Sequence, residues 1–154
     1  MMLILPENPL TILLMYKLLL NKRFSVILII GLIFINPLQA DNFYEEAITQ
    51  FEKEDYSSSI KSLEKSVVFE PKNFDSWVLL GKSYFAIENN DLAKKYYEIA
   101  YTLTPDNLEL NFLLGEVSYK LNLIEGYTEY LTNLETLCPS GCDEFIELKE
   151  LSSS

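Results

Sequence analysis

Residues 77–105 read WVLLGKSYFAIENNDLAKKYYEIAYTLTP, and the spacing of their large and small side chains decides the fold class. Trp77, Leu80, Gly81 and Tyr84 are spaced three and four residues apart, so they share one face of a helix. Ala93, Tyr97 and Ala100 mark a second helix in the same way. Between them Asn89-Asn90-Asp91 offers turn residues, and Pro105, which lacks an amide hydrogen, ends the second helix. The small Gly81 and Ala93 let the two antiparallel helices approach closely.

Outward from this stretch the chain repeats itself. Pro71, Pro105 and Pro139 are separated by 34 residues each. Phe51, Phe85 and Tyr119 are aromatic at the same step, Tyr44, Val78 and Phe112 are apolar, and Ala47, Gly81 and Gly115 are small. A period in this range marks stacked helical units, each of which buries its apolar face only against a neighbour. With Trp77, Leu80, Gly81, Tyr84, Ala93, Tyr97, Ala100 and Pro105 in place, the middle unit resembles the tetratricopeptide repeat (TPR), with Tyr97 where phenylalanine is usual. The resemblance implies an all-α solenoid of three helix-turn-helix repeats, at about 40–73, 74–107 and 108–141.

The flanking units match less closely. The first keeps Phe43, Ala47, Leu63 and Pro71, but has Ser59 and Ser66 where alanine is usual and polar Glu46 and Gln50 on a face with no outer neighbour, as a capping unit would. The third keeps Leu114, Gly115, Leu131 and Pro139 and departs at Asn111, Ser118, Tyr127 and Leu134, so its second helix is expected to pack irregularly. Beyond Pro139, Asp143 is expected to cap a short helix over 143–151, whose Phe145, Leu148 and Leu151 cover the open end of the stack.

Ahead of the repeats, Lys22 and Arg23 precede the apolar run Phe24 to Ile35, then the Asn36-Pro37 breaker and Leu38-Gln39-Ala40. That is the order of a secretory signal, with cleavage expected after Ala40 and the mature chain in the periplasm or secreted. Initiation at Met15 would give the signal a conventional length and leave 1–14 upstream of the start. The alternative is an uncleaved leader that anchors the domain in the inner membrane, facing the periplasm.

Composition narrows the chemistry. Residues 41–154 hold nine lysines, no arginine and 22 acids, an excess that repels a nucleic-acid backbone. The chain has no histidine, which removes Ser-His-Asp and Cys-His catalysis and histidine-ligated metal. The acids are scattered along helical faces with no calcium-loop spacing, so neither a metal nor another cofactor is expected. Cys138 and Cys142, in Cys-Pro-Ser-Gly-Cys, suit a disulfide in an exported chain; a catalytic dithiol and free thiols are the alternatives. This segment also resembles the ending of small exported TPR proteins of alphaproteobacteria.

The resemblance implies a function too: the first helices of successive repeats line a concave groove that receives a peptide or partner helix. With Trp77, Leu80 and Tyr84 engaged in packing, the groove stripe is expected at Val78, Lys82 and Phe85, repeated as Tyr44, Ile48 and Phe51 and as Phe112, Glu116 and Tyr119. TPR clamps for a C-terminal carboxylate use lysine and asparagine at fixed groove positions. Here Tyr44, Ile48, Val78 and Lys82 stand there, which disfavours that ligand. The expectation is a non-catalytic adaptor of the cell envelope for a protein segment with apolar and basic residues. A membrane-tethered assembly factor is the second reading and a thiol redox protein using Cys138 and Cys142 the third.

Overall fold

The computed structural model describes residues 38–152. Among the described residues seven helices follow in order: α1 Leu38–Glu52, α2 Tyr56–Phe69, α3 Phe74–Ala86, α4 Asn90–Leu103, α5 Leu108–Lys120, α6 Ile124–Leu137 and α7 Asp143–Leu151. Among the described residues there is no strand, and no helix is long and apolar enough to cross a membrane. The expected leader lies outside the described residues up to Pro37. α1 and α2, α3 and α4, and α5 and α6 form three antiparallel pairs that stack on one another, with α7 packed on α5 and α6.

The period of 34 is written into the caps as well as the core. The side-chain oxygens of Asp55, Asn73, Asn89 and Asn107 each accept the amide hydrogen three residues on, at 3.1, 3.0, 3.3 and 2.8 Å. These caps satisfy amides that the first helical turn leaves without a partner. The turn inside each repeat places one residue in the left-handed region, at Glu54, Glu88 and Asn122, with φ of 60°, 62° and 56°. Leu123 stands where Asn89 caps α4, and α6 starts with no side-chain cap. At α7 the cap position belongs to Cys142 rather than to the expected Asp143. Asp143 is instead the first helical residue, where its charge suits the positive end of the helix.

The small column lies at the centre of the stack. A Cβ added to Gly81 would come within 2.3 Å of the Tyr97 ring, so the glycine makes the notch that admits it. At Gly115 the same notch is filled by Leu148 of α7, 2.4 Å from the Cβ position. Leu148 is fully buried, and it stands 34 residues after Leu114, which stands 34 after Leu80. By register, then, α7 stands where the first helix of a fourth repeat would. Lys149 takes the column of Gly81 and Gly115, and its ammonium lies 5.5 Å over the Phe145 ring. A long side chain in that column offers no notch of the kind that Gly81 and Gly115 provide.

The third repeat is better ordered than its sequence implies. Asn111, at the tryptophan column, is fully buried and donates to the Pro105 carbonyl at 2.7 Å, just as the Trp77 indole donates to Pro71 at 2.9 Å. Tyr127, Tyr130 and Leu134 are buried, and the Tyr127 hydroxyl donates to the Leu148 carbonyl at 3.0 Å. The expected irregularity of α6 is therefore corrected: α7 supplies the surface on which it packs. In the first repeat, Ser59 donates to the Ala47 carbonyl at 3.0 Å and Ser66 pairs with Ser76 at 2.9 Å, so both serines fit the alanine column with their hydroxyls satisfied. The Gln50 amide donates to Glu46 at 3.0 Å and its side-chain oxygen accepts from Ser62 of α2 at 2.9 Å, so Gln50 faces the neighbouring helix and not a side without one. Cys138 and Cys142 flank the turn into α7 with Cα atoms 5.9 Å apart, within the span of a disulfide.

Candidate protein-binding groove

The first helices of the repeats are tied to one another along one face by their side chains. Tyr44 of α1 lies within electrostatic reach of Asp75 of α3. Lys82 of α3 pairs with Glu109 of α5 at 2.5 Å, and the Lys120 ammonium of α5 sits 5.4 Å over the Phe85 ring of α3. Glu116 of α5 in turn lies within electrostatic reach of Glu147 of α7. α1 packs directly on α3 and α5 on α7, and the Lys82 and Lys120 contacts join α3 to α5, so the four helices share one surface.

The nine residues expected to line a groove there divide into wall and floor. Val78 is only 7% exposed and belongs to the core with Tyr97, Leu110 and Leu114, which corrects its placement on an open surface. Phe85 and Phe112 are half-buried and packed against that core, and Phe112 also touches the cluster of Tyr127, Leu134 and Leu148. Phe51 is half-buried and meets Tyr56 edge-on at 5.2 Å, closing its own turn. Tyr44 and Ile48 are half-buried, while Tyr119 is 42% exposed. Tyr119 borders a cavity of about 330 Å³ with Leu123, Ile124 and Tyr127. Lys82 is engaged by Glu109, which removes it as a free cation. The accessible part of the stripe is thus Tyr44, Ile48, the outer faces of Phe85 and Phe112, Glu116 and Tyr119.

Two features of this face were not among the expected residues. Ile146 of α7 is 50% exposed and continues the column of Tyr44, Val78 and Phe112 by a further step of 34. Beside it runs an acidic column, Asp75, Glu109 and Asp143, exposed in the first turn of α3, α5 and α7. Extending the period past Pro139 finds both. Burial pushes the Glu116 carboxyl above its usual range, with Glu147 adding to the shift and Lys120 opposing it. The Tyr97 hydroxyl is likewise pushed up, first by burial and then by Glu116 and Glu109. It has no hydrogen-bond partner. Among the described residues no group of three or more Cys, Asp or Glu side chains converges to hold a metal.

The model of the tetratricopeptide repeat matches residues 74–107, the second repeat. The fold is that of a TPR solenoid. The first TPR domain of Spaghetti (RPAP3), solved bound to the HSP90 peptide SRMEEVD, is similar with a TM-score of 0.69 and 18% identity, covering 77% of this chain and 94% of that one. The Sgt2 TPR domain from Aspergillus fumigatus is similar at a TM-score of 0.67 and 18% identity, over 77% of this chain and 78% of its own. The Yersinia enterocolitica type III secretion chaperone SycD, in complex with a peptide of the translocator YopD, gives a TM-score of 0.66 at 19% identity, over 78% and 91% of the two chains. In sequence, the transcription factor tau 131 kDa subunit of Saccharomyces cerevisiae is 29% identical over 106 residues, 68% of this chain but 10% of that protein. This chain thus spans about a tenth of the length of that relative.

Proposed function

We propose that the protein is a non-catalytic interaction module that holds a segment of a partner protein along the face of α1, α3, α5 and α7. The observation that carries this reading is the half-exposed apolar column of Tyr44, Phe112 and Ile146 set beside the exposed acids Asp75 and Asp143, with Glu109 between them paired to Lys82. Apolar anchors gain from leaving water, and flanking carboxylates favour a basic partner over an acidic one. Lys82 held by Glu109 offers no clamp for a terminal carboxylate. The peptide-bound state of two TPR neighbours supports a peptide or protein ligand, while the charge pattern here points to a different ligand chemistry from SRMEEVD.

The leader supports a role in the cell envelope. Cleavage after Ala40 would leave α1 to begin at Asp41, an acid suited to a helix start. Export would also favour a Cys138–Cys142 bridge fastening α7 to the third repeat. Retention of residues 24–35 on protein recovered from the envelope would favour the tethered alternative. Affinity capture with the tagged full chain and with its Tyr44→Ala/Ile146→Ala variant tests the groove. The parent should retain a partner that the variant loses while keeping its helical signal. Equal retention by both would remove the groove from the function.

A further inference from the structure

We propose that the cavity at the α5–α6 turn is where two copies of this chain meet, through a two-fold contact that sets the Ile124 side chain of each copy into the cavity of the other. The contact is independent of the groove: of the nine stripe residues only Tyr119 borders the cavity.

This turn departs from the pattern of its own repeat. Asp55 and Asn89 cap α2 and α4, and Leu123 at the same step of 34 leaves α6 with no side-chain cap. A leucine there gives up a stabilising hydrogen bond, and Ile124 follows where Tyr56 and Asn90 stand in the earlier repeats. What the turn gains is apolar surface. Ile124 is 74% exposed, Leu123 44% and Tyr119 42%, and with Tyr127 they border the cavity of about 330 Å³. A local rule broken on an exposed turn points to a use outside the fold of the single chain.

The lining sets the chemistry of the occupant. The Thr128 hydroxyl donates to the carbonyls of Ile124 and Glu125 at 3.0 and 2.9 Å, that of Ser152 to Lys149 at 3.0 Å, and that of Tyr127 to Leu148 at 3.0 Å. Those hydroxyls are spent within the chain. With Asn122 completing the lining, none of the seven residues is charged, in a region of 22 acids and nine lysines. The occupant is therefore apolar and uncharged.

Charge then selects a second copy over a foreign basic segment. Basic partners are steered to the acids beside the groove, and this patch has nothing to steer them. Two copies repel wherever their acids face, so they approach at least cost where neither carries charge. The patch is also self-complementary, as a two-fold contact requires, because the projecting Ile124 stands beside the recess. Seven residues fall well below the roughly 20 to 30 per side of a standard interface, so the dimer is weak and depends on concentration. Glu125 follows Ile124 in the first turn of α6, and a two-fold contact brings its like charge near its counterpart.

Sedimentation velocity of the full chain at rising concentration, in low and in high salt, tests this. The sedimentation coefficient should climb from monomer toward dimer, and added salt should tighten the dimer by screening its acids, opposite to its effect on a basic partner. Leu123→Asn with Ile124→Asn writes the start of α4 into α6. It should weaken the dimer at least about tenfold while dilute protein keeps its helical signal. Ile124→Asp alone, which places an acid at a helix start, should do the same. Val68→Asn, at an exposed apolar residue of α2, should leave the dimer unchanged. A monomer at every concentration overturns the proposal. So does a dimer that survives either turn variant, or one that Val68→Asn weakens equally. None of these results touches the groove, which the Tyr44 and Ile146 variants test.

Discussion

In the second repeat the notch at Gly81 is filled by Tyr97, from the same repeat; in the third, the notch at Gly115 receives Leu148 from α7. The tryptophan column differs in the same sense. Trp77 packs against two core clusters and stacks on Tyr96 at 6.0 Å, whereas Asn111 is held by hydrogen bonds, donating to the Pro105 and Asn107 carbonyls and accepting from Asn133 of α6. The second repeat is therefore filled with its own aromatic side chains, and the third is completed by a neighbour. A repeat period fixes where a side chain stands along the backbone, and the next element along the stack determines what it touches.

The largest effects should come from removing either filler. Tyr97→Ala should cost about 3 to 5 kcal/mol in urea unfolding, as for a buried aromatic, and Leu148→Ala about 2 to 5 kcal/mol. A small loss for Leu148→Ala would mean that the third repeat stands without α7, and the contrast between the repeats would fail.

The glycines sharpen the same contrast. Gly81→Ala sets a methyl group against the ring of Tyr97, which is wedged on all sides, and should cost about 1 to 3 kcal/mol. Gly115→Ala meets the flexible end of Leu148 and should cost less by the same measurement. The reverse order would show α7 to be held more rigidly than α4.

A gain is expected in the turns. Glu54 and Glu88 hold left-handed conformations that cost a non-glycine residue about 1 to 2 kcal/mol, whereas Asn122 tolerates the same region better. Glu88→Gly should raise the melting temperature and Asn122→Gly should raise it less, because added chain flexibility offsets part of each gain.

The smallest effect concerns Glu116. Burial raises its folded pKa above the unfolded value, so the ionised carboxylate opposes folding. The stabilising balance is fully present below the unfolded pKa and is lost as pH rises through the folded pKa. Glu116→Gln should therefore raise the melting temperature at neutral pH, with the advantage fading on acidification. A constant advantage across that range would assign the effect to something other than the carboxylate charge.

Much of this was legible in the sequence. The prolines at a step of 34 locate the three helix pairs, and Trp77 to Tyr84 identifies the inward face of α3 because spacing alone sets helical faces. Side chains whose partners lie in another repeat were harder to read. Val78 looked like a groove residue until α4 and α5 were packed over it, and Lys82 looked free until Glu109 was brought beside it. Ile146 was missed because the count of repeats stopped at Pro139, although its column and that of Leu148 continue for one more step.

The most direct test of the central claim is an amide chemical-shift titration of the full chain with a short peptide of alternating leucine and lysine. The account predicts shifts concentrated at Tyr44, Ile48, Phe112, Glu116 and Ile146, on α1, α5 and α7, with α2, α4 and α6 largely unmoved. Shifts centred instead on the second helices, or on Leu123 and Ile124 beside the terminal cavity, would contradict it.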